Sequence, residues 1–378
     1  MRSKLMNSRE RFAKIMKHQQ PDRVGIDIGG TCLTGMRPEC HDRLMDVLGF
    51  PLDPARGNLV DERLMQWAGT DFRQVGDIAD LPPFRKSITP AETVDCWGIR
   101  SNCVDGEWQM TGSPLHGATV DDLKSYPWPE PEIDERQLAV WVEEAKRLKD
   151  EGKYVVAGNH PVFGCFELGC WMCGFDDFLL KMALDPDFIR TFFDKVLEIQ
   201  LRVIEQYYSE LGPYLDLAVS GDDFGTQNGP MISPEMFSEL VAPYFTARIK
   251  RTKEIADCYY WHHSCGSVFK LLEPVIACGV DILNPIQTSA VGIEPARLKK
   301  FFGDRLVFWG GVDVQQFLPH ASPDEIAPVI HELIDTLGKD GGYVMAAAHE
   351  MQDDTPPENI VAWMEAVRNH KPLPAKDR

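Results

Sequence analysis

The sequence predicts an α/β protein whose strands and helices alternate to form a (β/α)8 TIM barrel. The first observation is a set of eight short apolar segments, most of them separated by stretches with helical periodicity. The second is that glycines and polar side chains follow these segments, where the reactive groups of such barrels lie. The third is the length of 378 residues, which such barrels reach as one unit, so we expect a single barrel domain over residues 1–378. The strands begin at Val24, Phe72, Tyr154, Leu215, Cys258, Val280, Leu306 and Gly342.

The first quarter of the chain contains two strands and three helices. Phe12 and Ile15 recur at helical spacing, and Ser8 is placed to cap that helix. The glycines after the first strand indicate a tight turn at the barrel mouth. The predicted elements are a helix at 8–17, a strand at 24–28, helices at 41–48 and 61–68, and a strand at 72–75.

Residues 81–131 differ in composition from the rest of the chain, because they are rich in Pro, Gly, Trp and short alternating segments. This composition predicts a β-hairpin insertion with loops that lies over one end of the barrel. The segment Asp95-Cys96-Trp97-Gly98 within it is interpreted as a packed turn with a buried indole.

A cysteine-rich segment follows the third strand at 154–158. Cys170 and Cys173 have the C-x-x-C spacing of metal sites and redox pairs, but one such pair also fits a helix whose thiols fill space. Glu167 precedes them. A carboxylate shortly after the carboxyl end of a strand lies where barrel chemistry occurs, so Glu167 is a candidate catalytic residue.

Paired carboxylates follow the fourth strand at 215–219. Asp222 and Asp223 at such a position bind a cation, act as acid or base, or only cap a turn, and the spacing leaves these alternatives open. Both are candidate catalytic residues. A long helix from Asp185-Pro186 precedes the strand, and Ser233-Pro234 caps the helix after it.

The aromatic run Tyr259-Tyr260-Trp261 ends in His262-His263-Ser264-Cys265-Gly266. Residues two apart in an extended strand share a face, so His263 and Cys265 can point at one atom while His262 points to the opposite side. On its own, this pair of residues is weak evidence for a metal site.

A third ligand can come from the last strand, which ends in His349. Imidazole, thiolate and a second imidazole would make a three-ligand zinc site with the fourth position open, as catalytic zinc requires. The alternative is that His263, Cys265 and His349 are ordinary, partly buried side chains. The remaining predicted elements are helices at 135–149, 268–278, 294–301, 323–337 and 356–368, with strands at 280–284, 305–311 and 342–347.

Charge and composition exclude several classes of partner. The formal net charge of −19 argues against nucleic acid or an anionic membrane as the main partner. The first ten residues are charged and lack the apolar stretch of a secretory signal, and no run of about 18 apolar residues occurs. Ten cysteines are therefore expected to be reduced thiols in a cytoplasmic protein.

Several motifs in order along the chain resemble the uroporphyrinogen decarboxylase superfamily, and the resemblance covers nearly the whole chain. The segments that carry it are Arg9-Glu10-Arg11-Phe12, Gly221-Asp222-Asp223, Ser233-Pro234 with Phe237 and Pro243-Tyr244, His263-Ser264-Cys265-Gly266, Gly310-Gly311-Val312-Asp313, and Thr355-Pro356-Pro357-Glu358-Asn359-Ile360.

The resemblance offers two chemistries. Uroporphyrinogen decarboxylases need no metal and hold the carboxylates of a tetrapyrrole with an early R-Q-A-G-R segment, and they use an Asp in an F-S-D-I segment on the second strand. Residues 24–34 contain no Arg, and we expect no counterpart of F-S-D-I at residues 72–78. A metal-free decarboxylase of a different small acid stays as the alternative function.

The other branch contains corrinoid-dependent methyltransferases similar to methylcobamide:coenzyme M methyltransferases. Their zinc ligands are His-x-Cys, matched by His263 and Cys265, and a Cys six residues before Thr-Pro, where this chain has His349. The change from Cys to His lowers the thiolate charge on the metal and leaves a harder, more Lewis-acidic zinc, which favours a substrate with oxygen or nitrogen at the metal.

The resemblance thus implies a zinc-dependent methyltransferase that exchanges a methyl group between a small molecule and a corrinoid (cobalamin) cofactor. Glu167, Asp222 and Asp223 would orient the substrate, supply a fourth ligand or support the imidazoles. No Asp-x-His-x-x-Gly segment of corrinoid-binding proteins occurs in the sequence, so the corrinoid is expected on a separate protein. The expected partners are this corrinoid protein and a methoxylated compound, methylamine or thiol, with a homodimer left open. A catalytically idle barrel that binds a corrinoid protein or sequesters metal is a third reading.

Overall fold

The computed structural model describes residues 6–53, 59–79, 81–104, 107–162 and 164–371. Three parts of the sequence interpretation lie outside the described residues: residues 1–5 of the charged opening segment, residues 105–106 of the predicted insertion, and Phe163 at the start of the cysteine-rich segment.

Eight parallel strands form one sheet that curls into a nearly closed (β/α)8 barrel, as predicted. Successive barrel strands are neighbours in the sheet, from β2 through β7 to β12, and β12 pairs with β1. Each strand therefore ends at the same edge of the barrel, which is the mouth. The strands in chain order are β1 (Gly25–Ile26), β2 (Phe72–Val75), β3 (Arg85–Thr89), β4 (Glu92–Asp95), β5 (Arg100–Val104), β6 (Glu107–Gly112), β7 (Val155–Asn159), β8 (Leu217–Gly221), β9 (Tyr259–His263), β10 (Ile282–Ile286), β11 (Val307–Val312) and β12 (Tyr343–Ala347).

The space between β1 and β2 is bridged by a buried aspartate. The Asp71 backbone N–H donates to Ile26 O at 2.9 Å, and the Ile26 N–H donates to Asp71 Oδ2 at 3.0 Å. The same carboxylate accepts hydrogen bonds from Arg11 Nη1 at 2.6 Å and from Arg23 Nη1 at 2.8 Å. Since Arg11 and Asp71 are both buried, an ion-pair network closes the barrel at this point.

Helices connect the barrel strands and cover the outside of the sheet. They are α1 (Ser8–Met16), α2 (Pro38–Val47), α3 (Glu62–Ala68), α4 (Val120–Ser125), α5 (Glu135–Glu151), α6 (Cys165–Cys173), α7 (Phe175–Leu184), α8 (Pro186–Leu211), α9 (Pro234–Met236), α10 (Ala242–Ala256), α11 (Leu272–Ala277), α12 (Pro295–Phe302), α13 (Pro323–Leu337) and α14 (Pro357–Asn369). A π-helical turn at Phe237–Val241 joins α9 to α10.

Two details of the predicted helices need correction. The cap of α1 is Asn7 and not Ser8: Asn7 Oδ1 accepts the Glu10 N–H at 2.8 Å, and the Glu10 carboxylate accepts the Asn7 N–H at 3.0 Å, which is a capping box. The helix predicted over 268–278 begins as a 3₁₀ turn at Phe269–Leu271 before α11.

The segment between β2 and β7 forms a four-stranded antiparallel sheet in the order β3-β4-β5-β6, more than the hairpin that was predicted. At Asp95, Oδ1 accepts the N–H groups of Trp97 and Ile99, each at 2.9 Å, and Trp97 is buried. The interpretation of this segment as a packed turn is confirmed.

The interior of the barrel is filled by a column of aromatic rings. Phe12 of α1 meets Phe72 with ring centroids 5.5 Å apart, Phe72 meets Trp309 at 4.3 Å, and Trp309 meets Trp261 at 6.1 Å. A second, larger apolar layer lies between the strands and the helices. The column fills the barrel from the end where the strands begin, since Phe72 is the first residue of β2.

Within the part of the chain that the structure describes, no helix is both long enough and apolar enough to cross a membrane.

Candidate metal centre

Three potential metal-binding side chains meet at the mouth of the barrel. His263 is the last residue of β9, Cys265 lies two residues further on, and His349 follows the end of β12 by two residues. One ligand atom from each lies within 4.8 Å of the others. His263 Nε2 is 3.1 Å from Cys265 Sγ, and the rings of His263 and His349 are 5.7 Å apart at 74°. Distant parts of the sequence thus converge on one point.

The alternation of β9 decides which imidazole faces the mouth. His263 points into the barrel, where its ring lies 6.1 Å from that of Trp261. His262 points outward, is fully buried, and packs 4.7 Å from the ring of Phe245. The expectation that His262 occupies the opposite face is confirmed.

A buried amide orients the His263 ring. Asn284 Nδ2 donates to Trp309 O at 3.2 Å, which turns Asn284 Oδ1 toward His263 Nδ1 at 2.6 Å. An amide oxygen can only accept, so Nδ1 carries the proton and the lone pair of Nε2 faces Cys265. This is the arrangement that supports a metal-binding imidazole from behind.

The loop that carries Cys265 is held by hydrogen bonds from its backbone. The Cys265 N–H donates to Asp223 Oδ1 at 2.8 Å, and the Gly266 N–H donates to Gln287 Oε1 at 2.8 Å. Gly266 has φ +81°, and a Cβ there would lie 2.6 Å from Thr226 O, so the turn requires glycine. The thiol is therefore fixed beside His263 before any ligand binds.

Desolvation and the neighbouring charges shift the pKa values of Cys265 and His349 in opposite directions. Burial, followed by Asp223 and Glu167, raises the pKa of the Cys265 thiol. Desolvation in the mouth, followed by the neighbouring His263, lowers the pKa of His349 to about 4. His349 is therefore neutral at pH 7 and offers a lone pair, whereas Cys265 needs a nearby cation to become a thiolate.

Asp222 does not face the donor triad and instead caps α6. Its Oδ1 accepts the Glu167 N–H at 2.8 Å and its Oδ2 accepts the Phe166 N–H at 3.4 Å. Burial raises the pKa of Asp222 to about 6, opposed by Arg248 and by the two backbone donors. Gly164, the N-cap residue of α6, has no side chain that could cap the helix, so the cap comes from Asp222 after the end of β8.

Glu167 and Asp223 are the candidate residues whose carboxylates lie beside the donors. Asp223 Oδ1 is 3.8 Å from His263 Nε2, and 29% of the Asp223 side chain is accessible. Burial raises the pKa of Glu167 well above its usual range, and the Asp223 and Asp222 carboxylates add to the shift. Glu167 is half-buried. The structure thus brings two of the three predicted catalytic carboxylates to the triad and uses the third to position α6.

The C-x-x-C pair does not join this site. Cys170 and Cys173 are both buried within α6. Burial raises the pKa of both thiols, that of Cys173 to about 12. They pack as small apolar side chains.

The sequence analysis did not select four further residues near the barrel strands, although each is a polar residue at a position that the pattern of strands and helices would bury or place at a strand end. Asn284 is a polar residue at the inward face of β10, opposite His263 in the strand register. Arg248 lies on the buried face of α10, and Asp27 is a buried carboxylate after β1. Asp77 and Ile78 follow Gly76 after β2 and are identical to the last two letters of F-S-D-I, a partial match to that motif.

The chain is similar to known proteins over much of its length. Residues 100–370 match the family model "Uroporphyrinogen decarboxylase (URO-D)". The chain is 24% identical over 193 residues to the uroporphyrinogen decarboxylase of Psychromonas ingrahamii, covering 50% of each chain, and 21% identical over 190 residues to that of Coxiella burnetii, covering 49% of this chain and 48% of the relative. It therefore spans about half the length of the curated relatives it matches.

A solved structure covers far more of the chain. A "methyltransferase from Methanosarcina mazei" superposes on 96% of this chain and 98% of its own, with a TM-score of 0.64 and 18% identity. This likeness shows a shared fold.

Proposed function

Because this chain belongs to the uroporphyrinogen decarboxylase family, we propose that it is a zinc-dependent methyltransferase that moves a methyl group between a small molecule and a corrinoid cofactor on a separate protein. The observation that carries the proposal is the convergence of His263, Cys265 and His349, whose ligand atoms lie within 4.8 Å of one another at the barrel mouth.

The donor set fits zinc. Two neutral imidazoles and one thiol are ligands that zinc prefers, and three protein ligands leave a fourth position for a reacting group. The hydrogen bond from His263 Nδ1 to Asn284 is the support that such ligands normally have. Zinc bound here would supply Lewis acidity toward a thiol, or toward a methylated oxygen or nitrogen.

The carboxylates of the mouth have separate tasks under this proposal. Glu167 and Asp223 orient the substrate and hold or move its protons, since both lie beside the triad. Asp222 is a positioning residue, because its oxygens accept the N–H groups of Phe166 and Glu167 and so fix the first turn of α6. The corrinoid protein would dock over the mouth.

A metal-free decarboxylase is the second candidate, and Asp77 is the observation that favours it. Asp77 lies after β2, where the resemblance puts a decarboxylase aspartate, and it is exposed. The anion-binding arginines of such enzymes have no counterpart at residues 24–34. This candidate predicts full activity after removal of metal, which distinguishes it from the methyltransferase.

The test is a screen of methoxylated aromatics, methylated amines and thiols with the purified protein and a reduced corrinoid. Methyl transfer to Co(I) changes the visible spectrum of the corrinoid, and we expect one class of donor to produce this change. Treatment with a chelator should abolish it, and added zinc should restore it. No transfer with any class, together with activity on a carboxylic acid that survives chelation, would support the decarboxylase.

A further inference from the structure

The loop that carries Cys265, residues 264–267, lies between two other loops of the mouth, because β9 lies between β8 and β10 in the sheet. A Cβ at Gly225, in the loop after β8, would lie 2.4 Å from Cys265 O. In the same loop, Thr226 O accepts the Ser267 N–H at 2.7 Å. The place of the thiol therefore depends on how the loops after β8, β9 and β10 fit together.

Two glutamine side chains join the loop of Cys265 to both neighbouring loops. Gln287 Oε1 accepts the Gly266 N–H at 2.8 Å, and Gln287 Nε2 donates to Gln227 Oε1 at 3.0 Å. Gln227 Nε2 in turn donates to Ser289 O at 3.3 Å. Because a carbonyl oxygen can only accept, the Ser289 end fixes the direction of every bond in the series, and Gln287 presents its oxygen to Gly266.

Gln287 is the buried member of this series, and Gln227 is the exposed one. Gln287 is 9% exposed, and Gly266 is buried as well. Without the Gln287 oxygen, the Gly266 N–H would be buried without this acceptor, so the turn would shift to bring it to another acceptor or to water. Gly266 is bonded directly to Cys265, so such a shift would displace the Sγ atom relative to the two imidazoles of the triad.

We propose that Gln287 is a positioning residue for the metal ligand Cys265, and that Gln227 supports it from the rim of the mouth. The inference rests on the metal site of the proposed function. Gln287 acts through the backbone of Gly266: it holds the turn in the ligand-binding conformation before the metal arrives, so metal binding does not have to order the loop. Loss of a supporting hydrogen bond of this kind weakens metal binding by about 10- to 100-fold.

Zinc affinity, measured by competition with a chromogenic chelator, is the first test. Gln287→Leu should bind zinc about 10- to 100-fold more weakly than the unmodified protein, because the Gly266 N–H loses its acceptor. Gln287→Glu should stay within about threefold, because a carboxylate oxygen accepts the same N–H and the Gln227 amide can turn its own N–H toward the carboxylate. Rescue by a residue that keeps only the acceptor separates positioning from a packing role.

The second test needs no metal. Iodoacetamide should alkylate Cys265 in metal-free Gln287→Leu roughly tenfold faster than in the unmodified protein, because the loop opens more often. Mass spectrometry assigns the label to Cys265.

Gln206→Leu is the matched control for both tests. Gln206 belongs to α8, and its amide bridges the backbone in the same way: Oε1 accepts the Ile133 N–H and Nε2 donates to Ile133 O, each at 2.8 Å. Loss of this bridge should change neither the zinc affinity nor the alkylation rate.

Unchanged zinc affinity and unchanged alkylation in Gln287→Leu would overturn the inference, and so would equal changes in Gln206→Leu or a Gln287→Glu variant as weak as Gln287→Leu. Should Gln287→Leu fail to fold, Gln227→Leu decides: it should weaken zinc binding about threefold, because the Gln287 amide loses its orienting partner, and no change would overturn the inference. A failure of the proposed function looks different. The unmodified protein would then bind no zinc, whereas the alkylation rates would still report whether Gln287 holds the loop.

Discussion

Asn284 determines which nitrogen of His263 is available to a metal. Its amide is fixed by Trp309 O, and its oxygen accepts the Nδ1 proton, so Nε2 faces Cys265. The type and spacing of His263 and Cys265 predicted the donors from sequence. Asn284 was not predicted, because the partner of a ring nitrogen depends on the register between β9 and β10, which no local pattern encodes.

His349→Cys tests whether residue 349 is a ligand and what the metal does. The variant should retain zinc, because a second thiolate binds at least as tightly as an imidazole. The added negative charge weakens Lewis acidity, so transfer from a nitrogen or oxygen donor should slow by roughly tenfold, whereas transfer to a thiol should be unchanged or faster. Elemental analysis and methyl-transfer rates check both effects. Loss of zinc would show that position 349 is not a ligand.

Asp27 gives the protein a pH-dependent stability. Burial raises the pKa of Asp27 to about 7, although Thr34, Gly30, Trp309 and Thr31 all donate to it. Between its ordinary pKa near 4 and about 7, the folded state holds a proton that the unfolded state has lost. The Asp27 contribution to stability is therefore complete below the ordinary pKa and is lost as the pH rises through about 7.

Asp27→Asn should remove that part of the dependence. Relative to the variant, the unmodified protein should lose on the order of 3 kcal/mol of unfolding free energy between mildly acidic and neutral pH. Urea unfolding of both proteins across that range measures the difference. Parallel pH profiles would mean that the Asp27 pKa is not raised in the folded state.

The first turn of α6 is capped by Asp222, a residue from outside the helix. Glu167 was predicted at the mouth because it follows a strand, and it lies there. The role of Asp222 as the cap of α6 was left open, since a cap supplied across two strand ends has no signature along the chain. The close approach of Gly164 to Asp222 explains why the N-cap residue of this helix is glycine.

Gly164→Ala should disrupt this contact. A Cβ at Gly164 would lie 1.8 Å from Asp222 Cγ, so either the cap or the first turn of α6 must move. We expect a loss of about 1–3 kcal/mol in unfolding free energy. Gly229→Ala is the matched control, because a Cβ there meets nothing within 4 Å. Equal stability of the two variants in urea unfolding would contradict this account of α6.

The barrel as a whole was predictable because strands and helices alternate along the chain with distinct periodicities. All eight predicted barrel strands are present. The number of strands in the sheet between β2 and β7 was not predicted, because short alternating segments rich in Gly and Pro do not reveal how many of them pair. The closure of the barrel at β1 and β2 was also missed, since it depends on side chains from three separate segments.

Asp71→Ala should weaken the contact between β1 and β2 and so destabilise the barrel. The change leaves Arg11 buried without its Asp71 partner and removes the acceptor of the Ile26 N–H. Loss of one member of a buried ion pair costs about 3–5 kcal/mol. Asp304→Ala is the control, because the Asp304 side chain is 85% exposed and its loss should be nearly neutral. Thermal and urea unfolding compare the two, and similar stabilities would show that the Asp71 network does not hold the barrel closed.

The central claim is that His263, Cys265 and His349 bind one zinc ion, and the zinc content of the purified protein tests it most directly. Protein prepared without added metal or chelator should contain about one zinc per chain, and Cys265→Ala should retain less than about a tenth of that, since two imidazoles alone do not hold the ion. Cys103→Ala, which removes a thiol from β5, should keep the full amount. Well under half an equivalent in the unmodified protein, or full retention by Cys265→Ala, would contradict the account.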